Sequence, residues 1–103
     1  MDLRNLLREK RALILDIAKR HGASNVRIFG SVARGDFDEK SDVDFLVEME
    51  PDRSLLDHAS LLLDHASLLL DLEKLLGCKV DVVSEKGIKV RIRERVLREA
   101  QPL

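Results

Sequence analysis

Three aspartates in two short apolar segments are the side chains of this sequence best suited to hold a cation. Asp42 and Asp44 lie two residues apart at the start of the segment 43–49, so in an extended chain both leave the same face, roughly 6 to 7 Å apart. Asp81 lies alone among valines in "KVDVV", where an uncompensated carboxylate is costly to bury. If the two segments are neighbouring strands, the three carboxylates converge into a site for hard divalent cations such as Mg²⁺.

A glycine and a serine directly follow the preceding apolar segment, 25–29. Gly30 would let the backbone approach a bulky anion, Ser31 offers a hydroxyl, and the N–H groups of a following short helix would point outward. This pattern predicts a phosphate-binding turn that faces the carboxylates. Two metal ions about 3.5 to 4 Å apart can activate an attacking hydroxyl and neutralise a leaving pyrophosphate, as in polymerases. Arg34, one helical turn after Ser31, suits either a phosphate or an aspartate of the loop, and both interpretations stay open.

Other ligand motifs do not fit the same stretch. Its two glycines have the spacing of a P-loop, but Asp36 and Phe37 stand where lysine and a hydroxyl residue are required. A calcium loop beginning at Asp36 is excluded by lysine at its fifth position. His58 and His65 would lie about 10.5 Å apart along a helix, too far to share a zinc ion.

The remaining sequence predicts the elements that position these residues. In chain order they are a helix over 2–21, strands over 25–29 and 43–49, a helix over 55–76 capped by Ser54, a strand over 79–83 and a helix over 89–98. The tail also alternates like a strand, but its arginines and glutamates favour the helix. This order predicts an α/β (α+β) fold in which a small mixed sheet of three or more strands is covered by helices on one face. Residues 1–103 are expected to form a single domain.

The long helix contains an exact heptad duplication, "DHASLLL" at 57–63 and again at 64–70. Seven residues advance a helix by almost two turns with a drift of only ~20°, so the second copy presents nearly the same face as the first. Leucine and alanine cover more than half of the helical circumference, wider than the stripe of about 100° that one core contact needs. Either the helix is wedged between the sheet and its neighbours, or its surplus apolar face binds a partner or a second copy.

Composition limits the class of protein. The chain is 45% hydrophobic and 36% charged with a net charge of -1, which is typical of a globular protein without an overall field that attracts nucleic acid. No uninterrupted apolar block is present, so we expect a cytoplasmic protein that binds neither membranes nor DNA directly. The basic tail over 86–98 is interpreted as the solvated face of its helix rather than a contact for a triphosphate or an acidic partner.

The stretch "GSVARGDFDEKSDVD" is similar to the nucleotidyltransferase signature G-S-x10-D-x-D, with Gly30, Ser31, Asp42 and Asp44 in register. Over nearly its full length the chain resembles the minimal nucleotidyltransferases of the DNA polymerase β-like superfamily. The resemblance implies a fold like the polymerase β palm, with ATP as substrate and two Mg²⁺ ions. It implies that Asp42 and Asp44 bind both ions, that Asp81 completes the catalytic site, and that Gly30 and Ser31 hold the nucleotide phosphates. Spacing alone supports metal-dependent nucleotidyl transfer.

The resemblance also implies a partner. Relatives of this kind are the antitoxins of HEPN/MNT toxin–antitoxin pairs, which transfer AMP from ATP to a tyrosine of a HEPN-domain toxin. Because no residues remain for an acceptor domain once the core elements are assigned, a partner is expected to supply the acceptor hydroxyl. The alternative is a non-catalytic antitoxin that neutralises its partner through the leucine-rich helix 55–76, a surface that could also join homo-oligomers. The duplication in that helix departs from the family pattern.

Overall fold

The computed structural model describes residues 3–38, 40–49 and 58–103. Its elements are α1 Leu3–Glu9, α2 Arg11–Arg20, β1 Ala23–Phe29, α3 Gly30–Arg34, β2 Val43–Met49, α4 His58–Leu76, β3 Val80–Ser84, α5 Val90–Glu99 and β4 Gln101–Pro102, with a 3₁₀ turn at Glu85–Gly87. The predicted order of helices and strands is confirmed. The predicted beginning of the long helix at Leu55 and its cap at Ser54 lie outside the described residues.

The strands form one mixed sheet in the order β3-β2-β1-β4. β1 pairs antiparallel with both β2 and β4, whereas β2 and β3 are parallel. A parallel pair needs a long crossover between its strands, and α4 supplies it. The edge strand β4 is absent from the prediction because glutamine and proline are poor strand formers, and a proline fits only at the edge of a sheet.

The main core lies on one face of the sheet. Val43, Phe45 and Val47 of β2 are at most 1% exposed, and they share a cluster with Ile14 of α2 and Leu68 of α4. This face confirms the predicted layer of helices over the sheet.

A second, smaller cluster lies on the opposite face, where no cover was predicted. Leu46 alternates with the main-core residues of β2 and packs with Ile88 and with Val96 of α5. The predicted tail helix therefore forms, from Val90 rather than Lys89, and it covers part of the second face.

The predicted helix 2–21 is two helices that meet at Lys10. The N–H of Lys10 still donates to Leu6 O at 3.0 Å, and Lys10 O accepts from the N–H of Ile14 at 2.9 Å. The chain bends here while its hydrogen bonds continue. Periodicity does not reveal the bend because Leu7 and Ile14, seven residues apart, both reach the same core.

The second copy of the heptad is buried on one side only. Leu68 faces the core, followed one turn later by Leu72, and Leu69 is half-buried against it, whereas Leu70 is 57% exposed. This part of α4 has a core face and an exposed face and so leaves both interpretations open, and the side chains of the first copy lie outside the described residues. None of the described helices has the length and apolar character required to cross a bilayer.

Leu68→Ala should destabilise the fold by about 2 to 5 kcal/mol, because it leaves a cavity in the core beneath α4. Leu70→Ala makes the same truncation two residues away on the exposed side and should change the free energy of unfolding by less than about 0.5 kcal/mol. Urea denaturation of both variants measures the difference. Similar losses would contradict the assignment of the core face of α4.

Candidate active site

The parallel register of β2 and β3 places two of the predicted carboxylates side by side. Asp44 is the register partner of Asp81. Their neighbours along each strand, such as Phe45 and Val82, point into the main core, so both aspartates face the other side of the sheet. Asp42 lies just before β2 and acts electrostatically on Asp44, as Asp81 does. Asp42 and Asp81 thus both lie near enough to act on the charge of Asp44.

Asp44 is held in an unfavourable environment for a charge. Its pKa is raised from 3.8 to about 6, first by burial and then by the negative charges of Asp81 and Asp42. The positive charge of Arg34 acts in the opposite direction and lowers the pKa of Asp44. A cation at this position would relieve both the repulsion and the loss of hydration.

Gly30 is in van der Waals reach of the Asp44 carboxylate. A Cβ at this position would lie 2.2 Å from Oδ2 of Asp44, and the glycine has φ +73°, which L side chains rarely adopt. The pairing of Phe29 with Asp44 across β1 and β2 accounts for this proximity. Position 30 therefore requires glycine for its backbone conformation and for the space that the carboxylate occupies.

A cleft of about 420 Å³ opens in front of these residues. Five of the six predicted site residues line it: Gly30, Ser31, Arg34, Asp42 and Asp44. The sixth, Asp81, is adjacent to the cleft through Asp44 but does not line it. The other lining residues are Phe29, Lys40, Arg95 and Glu99.

Arg34 contacts two carboxylates in this structure. Its Nε donates to Oδ2 of Asp36 at 3.2 Å, and its Nη1 donates to Oε1 of Glu99 at 3.1 Å. Of the two interpretations of Arg34, the contact with a loop aspartate is therefore observed. The side chain is still 45% exposed at the cleft, so a phosphate could compete for it.

Arg95 and Glu99 are the cleft residues that sequence reasoning missed. They are four residues apart and so lie on one side of α5, next to the buried Val96. Val96 is the residue of α5 that packs in the core. Knowing this contact, one could have predicted from helical spacing that Arg95 and Glu99 lie beside it.

Side chains distant in sequence donate hydrogen bonds to carbonyls of the short helix α3. Arg4 of α1 donates to Val32 O at 3.3 Å and to Ala33 O at 3.0 Å, and the amide of Gln101 donates to Ala33 O at 3.3 Å. These bonds satisfy carbonyls that the end of a helix leaves without partners. The position of the Gly30–Ser31 turn thus depends on α1 and on the edge strand.

The donor set fits a divalent cation. Within the described parts of the chain, no three or more histidine, cysteine, aspartate or glutamate side chains already stand at metal-coordinating spacing. Unneutralised carboxylates repel one another, and a bound cation reverses that repulsion. Carboxylates are the oxygen ligands that Mg²⁺ prefers, and negative charges of Asp81 and Asp42 contribute to the raised pKa of Asp44.

Comparison with known proteins identifies the family. A family model described as a nucleotidyltransferase domain matches residues 10–103, a range that includes every predicted site residue. The chain belongs to this family. It is therefore a member of a class of enzymes that transfer nucleotidyl groups.

Individual relatives agree with this assignment. The protein adenylyltransferase MntA of Thermococcus cleftensis is 39% identical over 84 residues, which are 82% of this chain and 78% of that protein. A solved structure described as a minimal nucleotidyltransferase has 54% identity and a TM-score of 0.80, covering 100% of this chain and 97% of that one. A toxin–antitoxin crystal structure with AMP-PNP has 18% identity and a TM-score of 0.67, covers 86% of this chain and 68% of that one, and shows the same fold.

Gly30→Ala should destabilise this nucleotidyltransferase more than Gly35→Ala. Both glycines have positive φ, so each substitution should cost about 1 to 3 kcal/mol in backbone strain. Only position 30 adds a clash with a carboxylate, because a Cβ at Gly35 would meet nothing within 4 Å. Denaturant unfolding of the two variants compares them, and equal losses would contradict the contact between Gly30 and Asp44.

Asp44→Asn should stabilise the fold at neutral pH in the absence of divalent cations. Because the pKa of Asp44 is raised from 3.8 to about 6, the folded protein holds a proton that the unfolded chain has lost, and the wild type loses stability as pH rises through this interval. Asparagine carries no charge and does not contribute to this loss. The stability difference between variant and wild type should therefore grow in favour of the variant between pH 4 and pH 7, as measured by unfolding in EDTA. A difference that does not change with pH would contradict the environment assigned to Asp44.

Proposed function

We propose that this chain transfers AMP from ATP to a tyrosine hydroxyl of a partner protein in a Mg²⁺-dependent reaction, as the antitoxin of a HEPN/MNT pair. The observation that carries the proposal is the cleft in which the Gly30–Ser31 turn faces Asp42 and Asp44, with Asp81 beside Asp44 on the adjacent strand. Nucleotidyl transfer requires a phosphate-binding turn next to such carboxylates.

The relatives support the finer parts of the proposal. The Thermococcus protein is named a protein adenylyltransferase, which favours a protein acceptor. The related toxin–antitoxin structure contains AMP-PNP, an ATP analogue, which favours ATP as the nucleotide and a toxin as the partner. We place the reaction in the cytoplasm, where ATP is available, and in a single domain over residues 1–103.

Each of the six predicted site residues has a role in this proposal. Asp42, Asp44 and Asp81 would hold two Mg²⁺ ions, which when bound neutralise phosphate charge and favour ionisation of the acceptor hydroxyl. The backbone N–H groups and hydroxyl at Gly30 and Ser31 orient the triphosphate.

The reaction is an exchange of one phosphorus–oxygen bond for another. The acceptor oxygen forms a bond with the α-phosphorus of ATP, the bond from this atom to the bridging oxygen breaks, and pyrophosphate leaves. Asp81, exposed beside Asp44, takes the hydroxyl proton. Arg34 stabilises negative charge at the cleft wall.

Asp42→Asn and Asp44→Asn should each reduce AMP transfer by at least about a hundredfold, the scale of losing a charge-stabilising group in an active site. The assay incubates the chain with labelled ATP, Mg²⁺ and a co-expressed HEPN-domain protein encoded beside it, and mass spectrometry detects one added AMP. Asp16→Asn is the matched control, since this aspartate pairs with Arg20 on the surface of α2. Labelling by the two site variants at the wild-type rate would refute the proposal.

A second candidate function is a non-catalytic antitoxin that covers its partner with the leucine-rich helix predicted over 55–76, of which the structure describes α4, and which could also form homo-oligomers. The exposed side chain of Leu70 on α4 favours it. At matched expression, full neutralisation of the toxin by Asp42→Asn would support this function, whereas loss of neutralisation would support the enzyme.

A further inference from the structure

We propose that one flank of α5 docks an acidic segment of the acceptor protein and guides it to the cleft. This arginine flank consists of Arg91, Arg95 and Arg98. The inference rests on the proposed function, since it concerns how the acceptor is recognised.

The arginine flank is continuous with the cleft. Its residues are spaced by four and three positions, which places them on the same side of a helix. Arg95 lines the cleft together with Glu99, whereas Arg91 and Arg98 are exposed beyond it. Val96, 2% exposed, fixes the rotation of α5 by packing in the smaller core cluster. A segment lying along the flank would therefore reach the cleft at Arg95.

The flank carries more positive than negative charge, since its three arginines have Glu94 and Glu99 as neighbours along α5. Among the residues that the structure describes, no salt bridge involves any of its three arginines, while Arg20, Arg27 and Arg34 each have a carboxylate partner. Like charges spaced four residues apart on a helix repel one another. The flank is thus a local positive region on a chain of net charge -1. Carboxylates pair with arginine through two parallel hydrogen bonds, so an acidic segment is complementary to it.

An acidic protein segment fits this surface better than a nucleic acid. Single-stranded nucleic acids are bound by stacking on aromatic rings, and this chain has no Trp, no Tyr and only 3 Phe, of which Phe45 is fully buried. α5, which forms the flank, carries no aromatic residue, and Phe29 lines the adjacent cleft. α5 also exposes apolar side chains, Val90 at 89% and Leu97 at 37%, that can contact the side chains of a peptide.

A binding experiment without nucleotide tests the arginine flank directly. The probe is a labelled random copolymer of glutamate and tyrosine, the charge control is a lysine–tyrosine copolymer of the same length, and a single-stranded oligonucleotide represents the alternative partner. Binding is measured by fluorescence anisotropy in EDTA. We expect the glutamate copolymer to bind, and to bind more weakly as salt screens the interaction.

The double variant Arg91→Glu/Arg98→Glu should weaken binding of the glutamate copolymer at least about tenfold, on the scale of losing charge-assisted hydrogen bonds. Arg8→Glu/Lys19→Glu is the matched control, because it makes the same change in net charge at exposed positions of α1 and α2. Arg91→Gln/Arg98→Gln should give an intermediate loss. Circular dichroism checks that all variants are folded.

Three results would overturn the inference: no binding of the glutamate copolymer, equal weakening by the two double glutamate variants, or tighter binding of the oligonucleotide or the lysine copolymer. Because no ATP is present, the outcome is independent of catalysis. Failure here would leave the proposed function standing, and failure of the Asp42→Asn test would not affect this measurement.

Discussion

The parallel register between β2 and β3 is the constraint on which the site depends. It places Asp44 beside Asp81 on one face of the sheet while Phe45 and Val82 occupy the core on the other. A slip of one residue would exchange the two faces, burying carboxylates and exposing core residues, so packing of the core also fixes the chemistry of the opposite face. Gly30 then completes the arrangement, because it leaves the space that the Asp44 carboxylate fills.

The charges around Asp44 are unfavourable for the stability of the chain when no cation is bound. Burial and like charges raise the pKa of Asp44, so each ionised molecule retains a repulsion that the fold must offset. The offset comes from the main core and from the hydrogen bonds that Arg4 donates to α3, while Arg34 at the cleft lowers the pKa of Asp44. Such conflict between local stability and the requirements of a site is common in enzymes.

The sequence predicted the parts of the site that depend on local spacing. Gly30, Ser31, Asp42 and Asp44 lie within one short stretch, and all four line one cleft in the structure. Asp81 could be assigned to the same site only if its strand, β3, lies next to β2. Arg95 and Glu99 could not be placed, because their position depends on how α5 packs against Leu46. Arg4 bonds to backbone carbonyls 28 and 29 residues away, a contact that leaves no pattern of residue types.

The most direct test is an NMR titration of the Asp44 carboxyl carbon with and without Mg²⁺ and AMP-PNP. The account predicts an apparent pKa of about 6 in the chain alone. With cation and nucleotide bound, the pKa should fall towards the ordinary value of an aspartate, because positive charge replaces the repulsion from Asp42 and Asp81. A pKa that Mg²⁺ does not change, in a sample that binds the nucleotide, would contradict the claim that these carboxylates form a cation site.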